Sequence, residues 1–442
     1  MSQGASTPLP ASTAQGRQLF SVVLASCVGT AMEWYDFFIY GFVATLMFDK
    51  LFFPNMTSAV GTLVVLGTFS VGFVARPVGG LVFAHFGDRF GRKRVLLITM
   101  VLMGVSTTTI GLLPTYASAG TAAPVLLIVC RFLQGIALGG ESIGALLMII
   151  ENAPPHRRGF LGAIVMATGP FAQVIGSFVL MAIVSLPDQQ LLAWGWRVPF
   201  LLSLVLLFVG SYVRFRVEES PLFLNAQREH KIVRVPLVEV LTRYRRETII
   251  ILLAALAETT IFNLSSIFAL SFGTKSLHLP RGVFTSAILY GNVCAMVTVP
   301  LLGLLADKIG KRRLFTAGVV GGGLYAYPFF MMLQSGDTTL ATLAVVLGIG
   351  FFHPMMFAPE GSFFPEIFDT QVRFTGVSIG KQFGTMGGGM VPLIATSLIA
   401  MSGTVSAAIT YVIVVCLVAI VALSLIPKRV AGSAAALHPL TE

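Results

Sequence analysis

Residues 80 to 94 read GLVFAHFGDRFGRKR, and residues 303 to 313 read GLLADKIGKRR. In each copy an acid is followed by a turn glycine and a cluster of bases, and an apolar run comes directly before the acid. One such loop is an ordinary polar connection between helices. Because the same loop occurs once in each half of the chain, the sequence predicts a duplicated protein.

The composition indicates that the chain is dissolved mostly in lipid. Of its 442 residues 55% are hydrophobic and 11% are charged, and the mean hydropathy is +0.87. Runs of roughly 20 apolar residues are long enough to cross a bilayer as helices. Twelve of them are predicted, and we call them spans one to twelve: residues 20–48, 60–83, 95–113, 124–150, 159–184, 198–213, 248–272, 284–304, 314–333, 340–362, 373–400 and 405–427.

The basic residues predict the orientation of these spans. The net charge is +10, and most of the 29 bases fall on alternate connecting segments. Cytoplasmic loops of membrane proteins carry such an excess of Lys and Arg. The pattern predicts that both termini are cytoplasmic, and it accounts for the high pI without nucleic acid as a partner.

The predicted domain organisation follows from the apolar runs and one long polar stretch. It has five parts: a disordered tail (1–16), an N-terminal bundle of six helices (17–213), a cytoplasmic linker with short surface helices (214–247), a C-terminal bundle of six helices (248–427) and a short cytoplasmic tail (428–442). The fold class is therefore an all-α membrane protein with twelve transmembrane helices.

Span one carries two acids at a depth where charge is costly. Glu33, Asp36 and Tyr40 have the spacing i, i+3, i+7 and share one helical face. A carboxylate that faces lipid there costs a few kcal/mol, so these side chains should face a water-filled cavity or a cation. A purely structural ion pair is the alternative for both acids.

Span four supplies the predicted cation. Arg131, Gln134 and Glu141 lie on one face by spacing, and Arg131 is the candidate counter-ion of Asp36. Glycines in the same span, at Gly135, Gly139 and Gly140, predict a close approach of a neighbouring helix.

The second half repeats the plan with other polar residues: Glu258 and Asn263 in span seven, Tyr290 and Asn292 in span eight, His353 and Glu360 in span ten, and Lys381 and Gln382 in span eleven. Lys381 lies too deep for its side chain to reach the membrane surface, which predicts that it faces a cavity. His353, a lone histidine among aromatic residues, is more typical of a packing residue, and a functional role is the alternative.

These residues resemble the major facilitator superfamily and, within it, the metabolite:proton symporter family. The repeated loop has the superfamily's signature, and EWYDFFIYG, RFLQGIALGGE, ENAPPHRRG and PEIFDTQVRFTG carry the narrower resemblance. It implies two pseudo-symmetric six-helix bundles, alternating access and proton-driven uptake of small metabolites. Examples are shikimate, 2-oxoglutarate, citrate, dicarboxylates, proline and betaine.

We expect an acid of span one to carry the proton, Asp36 first and Glu33 second, with Arg131 as the balancing charge. A carboxylate substrate would then pair with Arg131 from one bundle and Lys381 from the other. The predicted substrate-binding residues are Arg131, Lys381, Tyr40, Gln134, Glu141, Glu258, Asn263, Tyr290 and Gln382.

The repeated loops are predicted to form a gate. Asp88 can cap span eleven and pair with Arg373, and Asp307 can cap span five and pair with Arg158, since a carboxylate stabilises a helix N-terminus. The predicted gating residues are Asp88, Arg89, Gly91, Arg92, Asp307, Gly310, Arg158, Arg373, Glu151 and Glu366.

The predicted function is transport, with the proton as the coupling ion and neither a metal nor another cofactor. The sequence has no arrangement typical of an enzyme. Its expected partners are a small organic acid, the proton and the lipid bilayer of a bacterial plasma membrane; no nucleic acid and no obligate protein partner are expected. The alternatives are uptake or sensing of an osmolyte such as proline or betaine, and facilitated transport without protons.

Overall fold

A computed structural model describes residues 11–90, 92–152, 158–215, 236–368 and 372–426 of the chain. Within these ranges some side chains are not described, among them those of residues 11–26, 84–93 and 141–152. Most of the predicted N-terminal tail, much of the linker and the whole C-terminal tail therefore lie outside the described residues.

The described residues of the first half are helical almost throughout. The helices are α1 (Ala11–Val43), α2 (Asp49–Phe52), α3 (Ser58–Phe90), α4 (Arg92–Leu112), α5 (Tyr116–Ala119), α6 (Ala122–Asn152), α7 (Arg158–Met166), α8 (Thr168–Val184), α9 (Asp188–Ala193) and α10 (Val198–Phe215), with a π-helical segment at Ala44–Phe48 and a 3-10 turn at Gly195–Arg197.

The second half continues with α11 (Pro236–Arg243), α12 (Arg245–Asn263), α13 (Ala269–Lys275), α14 (Arg281–Ile309), α15 (Lys311–Gln334), α16 (Thr338–Leu347), α17 (His353–Glu366), α18 (Arg373–Gly389), α19 (Val391–Ser402) and α20 (Ser406–Ser424), with π-helical segments at Leu264–Phe268 and Gly348–Phe352. The short helix α11 lies in the predicted linker.

The predicted spans correspond to these helices in order. Span one is α1 with its π segment, spans two, three and four are α3, α4 and α6, span five is α7 with α8, and span six is α10. Spans seven to twelve are α12–α13, α14, α15, α16–α17, α18–α19 and α20. Eleven helical stretches in the described residues, all except span one, are long and apolar enough to cross a membrane.

The helix ends follow local sequence signals. The chain turns between spans eight and nine at Gly310, whose φ of 99° is one that side chains rarely adopt. Span ten begins at a capping carboxylate, because Asp337 accepts hydrogen bonds from the backbone N–H of Thr339 at 2.6 Å and of Leu340 at 3.4 Å. Helix α1 begins earlier than predicted, at Ala11, inside the predicted tail of residues 1–16. Alanine and glutamine in this stretch favour a helix.

The packing of the helices repeats between the halves. In the first half the packed pairs of spans are two with four, one with five, three with six, and one with six. In the second half they are eight with ten, seven with eleven, nine with twelve, and seven with twelve. The halves meet through spans five and eight and through spans two and eleven. Each pair maps on its equivalent when six spans are added, which confirms the predicted pseudo-symmetric arrangement of two bundles.

Spans two and four pack closely along the predicted glycines. A Cβ atom at Gly135 would collide with the backbone carbonyl of Gly72, and one at Gly139 with the carbonyl of Arg76. Glycine is therefore needed at both positions for these helix backbones to touch.

Candidate functional site

A cavity lies between the two bundles, at the middle of the spans. Its polar and charged lining comes from both halves: Thr30, Glu33, Arg76, Glu258, Thr259, Asn263, Lys381, Gln382 and Thr385. Aromatic rings form much of the remaining wall: Trp34, Phe37, Phe38, Phe73, Phe262 and Phe357. Five of the predicted site residues, Glu33, Glu258, Asn263, Lys381 and Gln382, line this cavity.

The C-terminal half contributes two charged pairs. Lys381 of span eleven forms an ion pair with Glu360 of span ten, whose carboxylate is almost fully buried. Glu258 of span seven lies with its Oε1 2.7 Å from His353 Nε2 and accepts a hydrogen bond from Thr259 Oγ1 at 2.8 Å through its Oε2. Lys381 also interacts electrostatically with Glu258, so a single cation serves two carboxylates.

The N-terminal half contributes Arg76 of span two as its cavity cation. The Arg76 guanidinium lies over the rings of Phe37 and Phe73, at 4.6 and 4.7 Å from their centroids. It interacts electrostatically with Glu33 of its own bundle and with Glu258 of the other. These cation–π contacts hold the guanidinium at the cavity wall.

Arg131 lies outside the residues that line the cavity in the described conformation, so its predicted contact with a substrate stays a prediction. It is fully buried and donates to Gln134 Oε1 at 3.2 Å and to the Phe69 carbonyl at 3.4 Å. Its guanidinium also lies 4.3 Å from the ring centroid of Phe37 and 4.2 Å from that of Tyr40. The guanidinium also lies against the backbone of Gly72, where a Cβ atom on residue 72 would collide with it.

Two further predicted substrate-binding residues belong to this buried arginine cluster. Gln134 donates through Nε2 to Thr107 Oγ1 at 2.7 Å, and the Tyr40 hydroxyl donates to Thr68 Oγ1 at 2.8 Å. Neither lines the cavity in the described conformation, so substrate contact by Gln134 and Tyr40 stays a prediction. Asp36 is buried on the same span as Glu33 but likewise lies outside the lining residues.

Tyr290 was expected at the substrate and is on the opposite face of span eight. Its side chain is 56% exposed, and Val293, Val297 and Leu301 are exposed on the same helical stripe. An apolar exposed stripe on a membrane span faces lipid. Substrate contact by Tyr290 therefore stays a prediction that its position does not support. Its neighbour Asn292 is buried and donates to the Ile288 carbonyl at 2.8 Å.

At the end of the molecule where the repeated loops lie, here called the motif end, Asp307 joins the two halves. Its two carboxylate oxygens accept hydrogen bonds from the backbone N–H groups of Gly159 and Phe160, each at 3.0 Å. This is the predicted cap of span five, whose first residue Arg158 is half-buried. Gly159 leaves room for the carboxylate, since a Cβ there would overlap it.

The remaining gating predictions have mixed outcomes. Glu366 forms an ion pair with Lys311 of the second loop, and Arg373 Nε donates to the Phe368 carbonyl at 3.4 Å. The side chains of the other predicted members, Asp88, Arg89, Arg92 and Glu151, lie outside the described residues, as do Gly91 and the side chain of the substrate-site candidate Glu141.

The halves also touch at the opposite end, where sequence reasoning predicted no gate. Lys275 after span seven forms an ion pair with Asp49 after span one. Arg281 at the start of span eight lies 3.4 Å from Asp188, which precedes span six. Nearer the cavity, Gln382 donates to the Gly139 carbonyl at 3.2 Å across the bundles. The described conformation thus has contacts between the halves on both sides of the cavity.

Sequence reasoning missed Arg76 as a site residue and gave His353 a packing role. Arg76 carried the same signal as Arg131, a lone arginine deep in an apolar run. His353 does pack between Phe262 and Phe357, with ring centroids at 4.8 Å from each. Its Nε2 nevertheless faces a cavity carboxylate that is distant in sequence, and this contact depends on the tertiary fold.

Two pseudo-symmetric helical bundles with a charged cavity between them are typical of membrane carriers. The Major Facilitator Superfamily model matches residues 19–392 of the chain. The chain therefore belongs to the Major Facilitator Superfamily.

Its relatives include transporters with different named substrates. It is 37% identical to the shikimate transporter of Escherichia coli (strain K12), over 85% of this chain and 87% of the relative. The inner membrane metabolite transport protein YhjE of the same strain is 40% identical over 85% and 87%. The proline/betaine transporter of that strain is 31% identical over 91% and 82%.

The fold resembles solved transporters as well. A crystal structure of a D-xylose-proton symporter superposes with a TM-score of 0.71 and 19% identity, over 93% of this chain and 99% of that one. At this identity the likeness shows the shared fold. The chain is an integral membrane protein with many spans.

Proposed function

We propose that this protein is a secondary active transporter that takes up a small organic acid together with protons, by alternating access. The substrate would be a mono-, di- or tricarboxylate such as shikimate or 2-oxoglutarate. The observation that carries the proposal is that Arg76 from one bundle and Lys381 from the other line the same cavity. A carboxylate bound to both cations links the bundles, as a carrier that rocks around its substrate requires.

The relatives support a metabolite of this kind. One of them is named a shikimate transporter and another an inner membrane metabolite transport protein. By the positive-inside pattern, the motif end and both termini face the cytoplasm of a bacterial inner membrane.

The Glu33–Arg76 pair takes the coupling role that the sequence assigned first to Asp36 and Arg131. Glu33 lines the cavity and interacts electrostatically with Arg76. When Glu33 is protonated, it no longer attracts Arg76 electrostatically, and Arg76 then binds the substrate's carboxylate. Asp36 stays a second candidate for the proton, because it is buried three residues along the same span.

In the C-terminal half, a protein carboxylate and the substrate likewise compete for one cation, Lys381. It is already paired with Glu360, so a substrate carboxylate must share or displace that partner. Binding therefore replaces one ion pair by another and does not leave a buried charge uncompensated, which would be costly.

The direct test is transport into proteoliposomes loaded at alkaline pH, with radiolabelled shikimate and 2-oxoglutarate and with proline and betaine for comparison. We expect uphill uptake of an organic acid that collapses with a protonophore, and alkalinisation outside when that acid is added. Uptake that only equilibrates, with no pH change, would identify a proton-independent facilitator.

Two variants separate the coupling residues in the same assay. Glu33→Gln should abolish uphill accumulation and spare exchange of substrate across the membrane, because a permanently neutral side chain binds no proton. Asp36→Asn should have the smaller effect. If Asp36→Asn alone uncouples the carrier, Asp36 and not Glu33 carries the proton.

Uptake of a zwitterionic osmolyte is the second candidate, and the cavity carboxylates favour it. Glu33 and Glu258 can hold a cationic group while Arg76 and Lys381 hold the carboxylate. One relative is named a proline/betaine transporter. Accumulation of proline or betaine, with none of the organic acids, would establish this function.

A further inference from the structure

His353 and Glu258 form a contact that the transport scheme above does not use. His353 is the first residue of α17 and directly follows the π-helical segment Gly348–Phe352. The side chains of His353 and Glu258 are 3% and 7% exposed, and Nε2 lies 2.7 Å from Oε1. Phe262 and Phe357 hold the imidazole from two sides. The ring is therefore fixed with one nitrogen on a carboxylate.

The buried charges of the spans leave a place for one more positive charge. The described carboxylates that lie deep in the spans are Glu33, Asp36, Glu258 and Glu360, and the cations are Arg76, Arg131 and Lys381. With neutral His353 the carboxylates exceed the cations by one. A net charge deep in a membrane protein is costly. A proton on Glu33 removes the excess in the empty carrier, and a second proton, on His353, balances one negative charge of a bound substrate.

We propose that His353 and Glu258 together bind a proton of their own, separate from the proton on span one. The inference rests on the proposed function, since it adds a second proton site to the same carrier. Neutral His353 already donates its Nε2–H to Glu258 Oε1, so the added proton goes to the other ring nitrogen, Nδ1, and makes the ring an imidazolium next to that carboxylate. Glu258 connects the pair to the cavity. Imidazole is the side chain suited to binding and releasing a proton near neutral pH.

Substrate binding and this proton favour each other. Lys381 of span eleven and Arg76 of span two interact electrostatically with Glu258, as does Glu360 of span ten. Glu33 of span one faces the same cavity. When a substrate anion takes the two cations, Glu258 loses positive charge around it, and a proton on the pair replaces that charge. By linkage, the proton must strengthen anion binding to the same degree.

A tyrosine and a cysteine belong to helices packed against this region. The Tyr325 hydroxyl of α15 donates to the Ala344 carbonyl, and Cys294 of α14 lies against Gly350 of the π segment. The charged neighbours of the pair among the described residues are Lys381, Arg76, Glu360 and Glu33.

The test needs no substrate. Carrier labelled with ¹³C at histidine Cε1 is placed in nanodiscs, and its NMR signals are followed from alkaline to acidic pH. His353→Gln assigns one signal by its loss, and its amide can still reach Glu258. We expect the His353 signal to titrate in this range, and to titrate at a different pH in Glu258→Gln.

A matched control replaces a histidine outside the site. His278 is exposed in the loop before span eight with a φ of 54°, a conformation that asparagine tolerates, so His278→Asn should leave the His353 signal unchanged. If His353→Gln does not fold, a variant that keeps His353 and replaces the other five histidines gives the same assignment.

A His353 signal that stays neutral throughout, or that titrates identically in Glu258→Gln, would overturn the proposal and leave a structural hydrogen bond. This outcome is distinguishable from failure of the proposed function, which is decided by uphill uptake in proteoliposomes. The carrier can pass either test without the other.

Discussion

Arg131 in the N-terminal half and Lys381 in the C-terminal half are both cations buried deep in a span, yet their surroundings differ. Arg131 is enclosed by Gln134, the Phe69 carbonyl and the rings of Phe37 and Tyr40. It touches the cavity-lining Phe37 but is not itself a lining residue. Lys381 lines the cavity and pairs with Glu360.

The comparison teaches that depth in the membrane alone does not identify a substrate-binding cation. A guanidinium whose partners are a backbone carbonyl, an amide and aromatic faces stabilises the packing of its own bundle. A cation whose partner is another carboxylate at a cavity can exchange that partner for a substrate. Since Arg76 lines the cavity with Lys381 and Arg131 does not, Arg76 is the N-terminal counterpart in our proposal.

The largest effect is expected for Lys381→Met. Loss of the ammonium leaves Glu360 as an uncompensated buried charge, a change that costs about 3–5 kcal/mol. Uptake should fall by on the order of 100-fold, measured in proteoliposomes, with a lower melting temperature of the purified carrier. In the double variant with Glu360→Gln the stability should return while uptake does not. Normal uptake by Lys381→Met would remove Lys381 from the site.

A smaller loss is expected for Arg76→Met. A hydrogen bond to a charged group contributes about 1.5–3 kcal/mol, so the dissociation constant of the transported acid should rise roughly 10- to 100-fold. Isothermal titration calorimetry on the purified variant measures this. An unchanged dissociation constant would mean that the substrate is bound by the C-terminal half alone.

Asp307→Asn should act on the gate and not on binding. An amide keeps only one of the two acceptor oxygens and lacks the charge that interacts with the helix dipole, a combined loss of about 1 kcal/mol. We expect a change of a few fold in transport rate and in the labelling of a cysteine placed at the motif end, at constant substrate affinity. A change in affinity with no change in labelling would contradict the gating role.

Tyr290→Phe is expected to change almost nothing. The side chain is exposed on an apolar stripe, and surface substitutions of this kind stay within about 0.5 kcal/mol. Uptake kinetics and melting temperature should both equal those of the unmodified protein. A clear loss of uptake would return Tyr290 to the site.

The fold was predictable because its signals are local. The repeated loop indicates the duplication, and each apolar run has the length of a membrane span. The beginning of α1 was less predictable, because Ala11 to Gly16 carry no apolar pattern and still join the helix.

The site was predictable in its residue types but not in the direction of each side chain. Glu33, Glu258 and Lys381 were found from the cost of burying charge. Arg76 and Arg131 carry the same signal in sequence, and only the rotation of spans two and four separates them. For Tyr290 a signal was available, since Val293, Val297 and Leu301 place its stripe on the apolar face.

The pairing of His353 with Glu258 was out of reach of sequence reasoning. The two residues are on spans seven and ten, and no spacing rule connects positions that far apart. Their contact depends on how the helices of the C-terminal bundle pack, which the sequence alone leaves open.

The central claim is that Arg76, and not Arg131, holds the substrate from the N-terminal half. The most direct measurement is the dissociation constant of the transported acid for Arg76→Lys and Arg131→Lys, which keep the charge and remove the forked guanidinium. We predict that Arg76→Lys weakens binding about tenfold, while Arg131→Lys stays within about twofold of the unmodified protein. The reverse order would contradict the account.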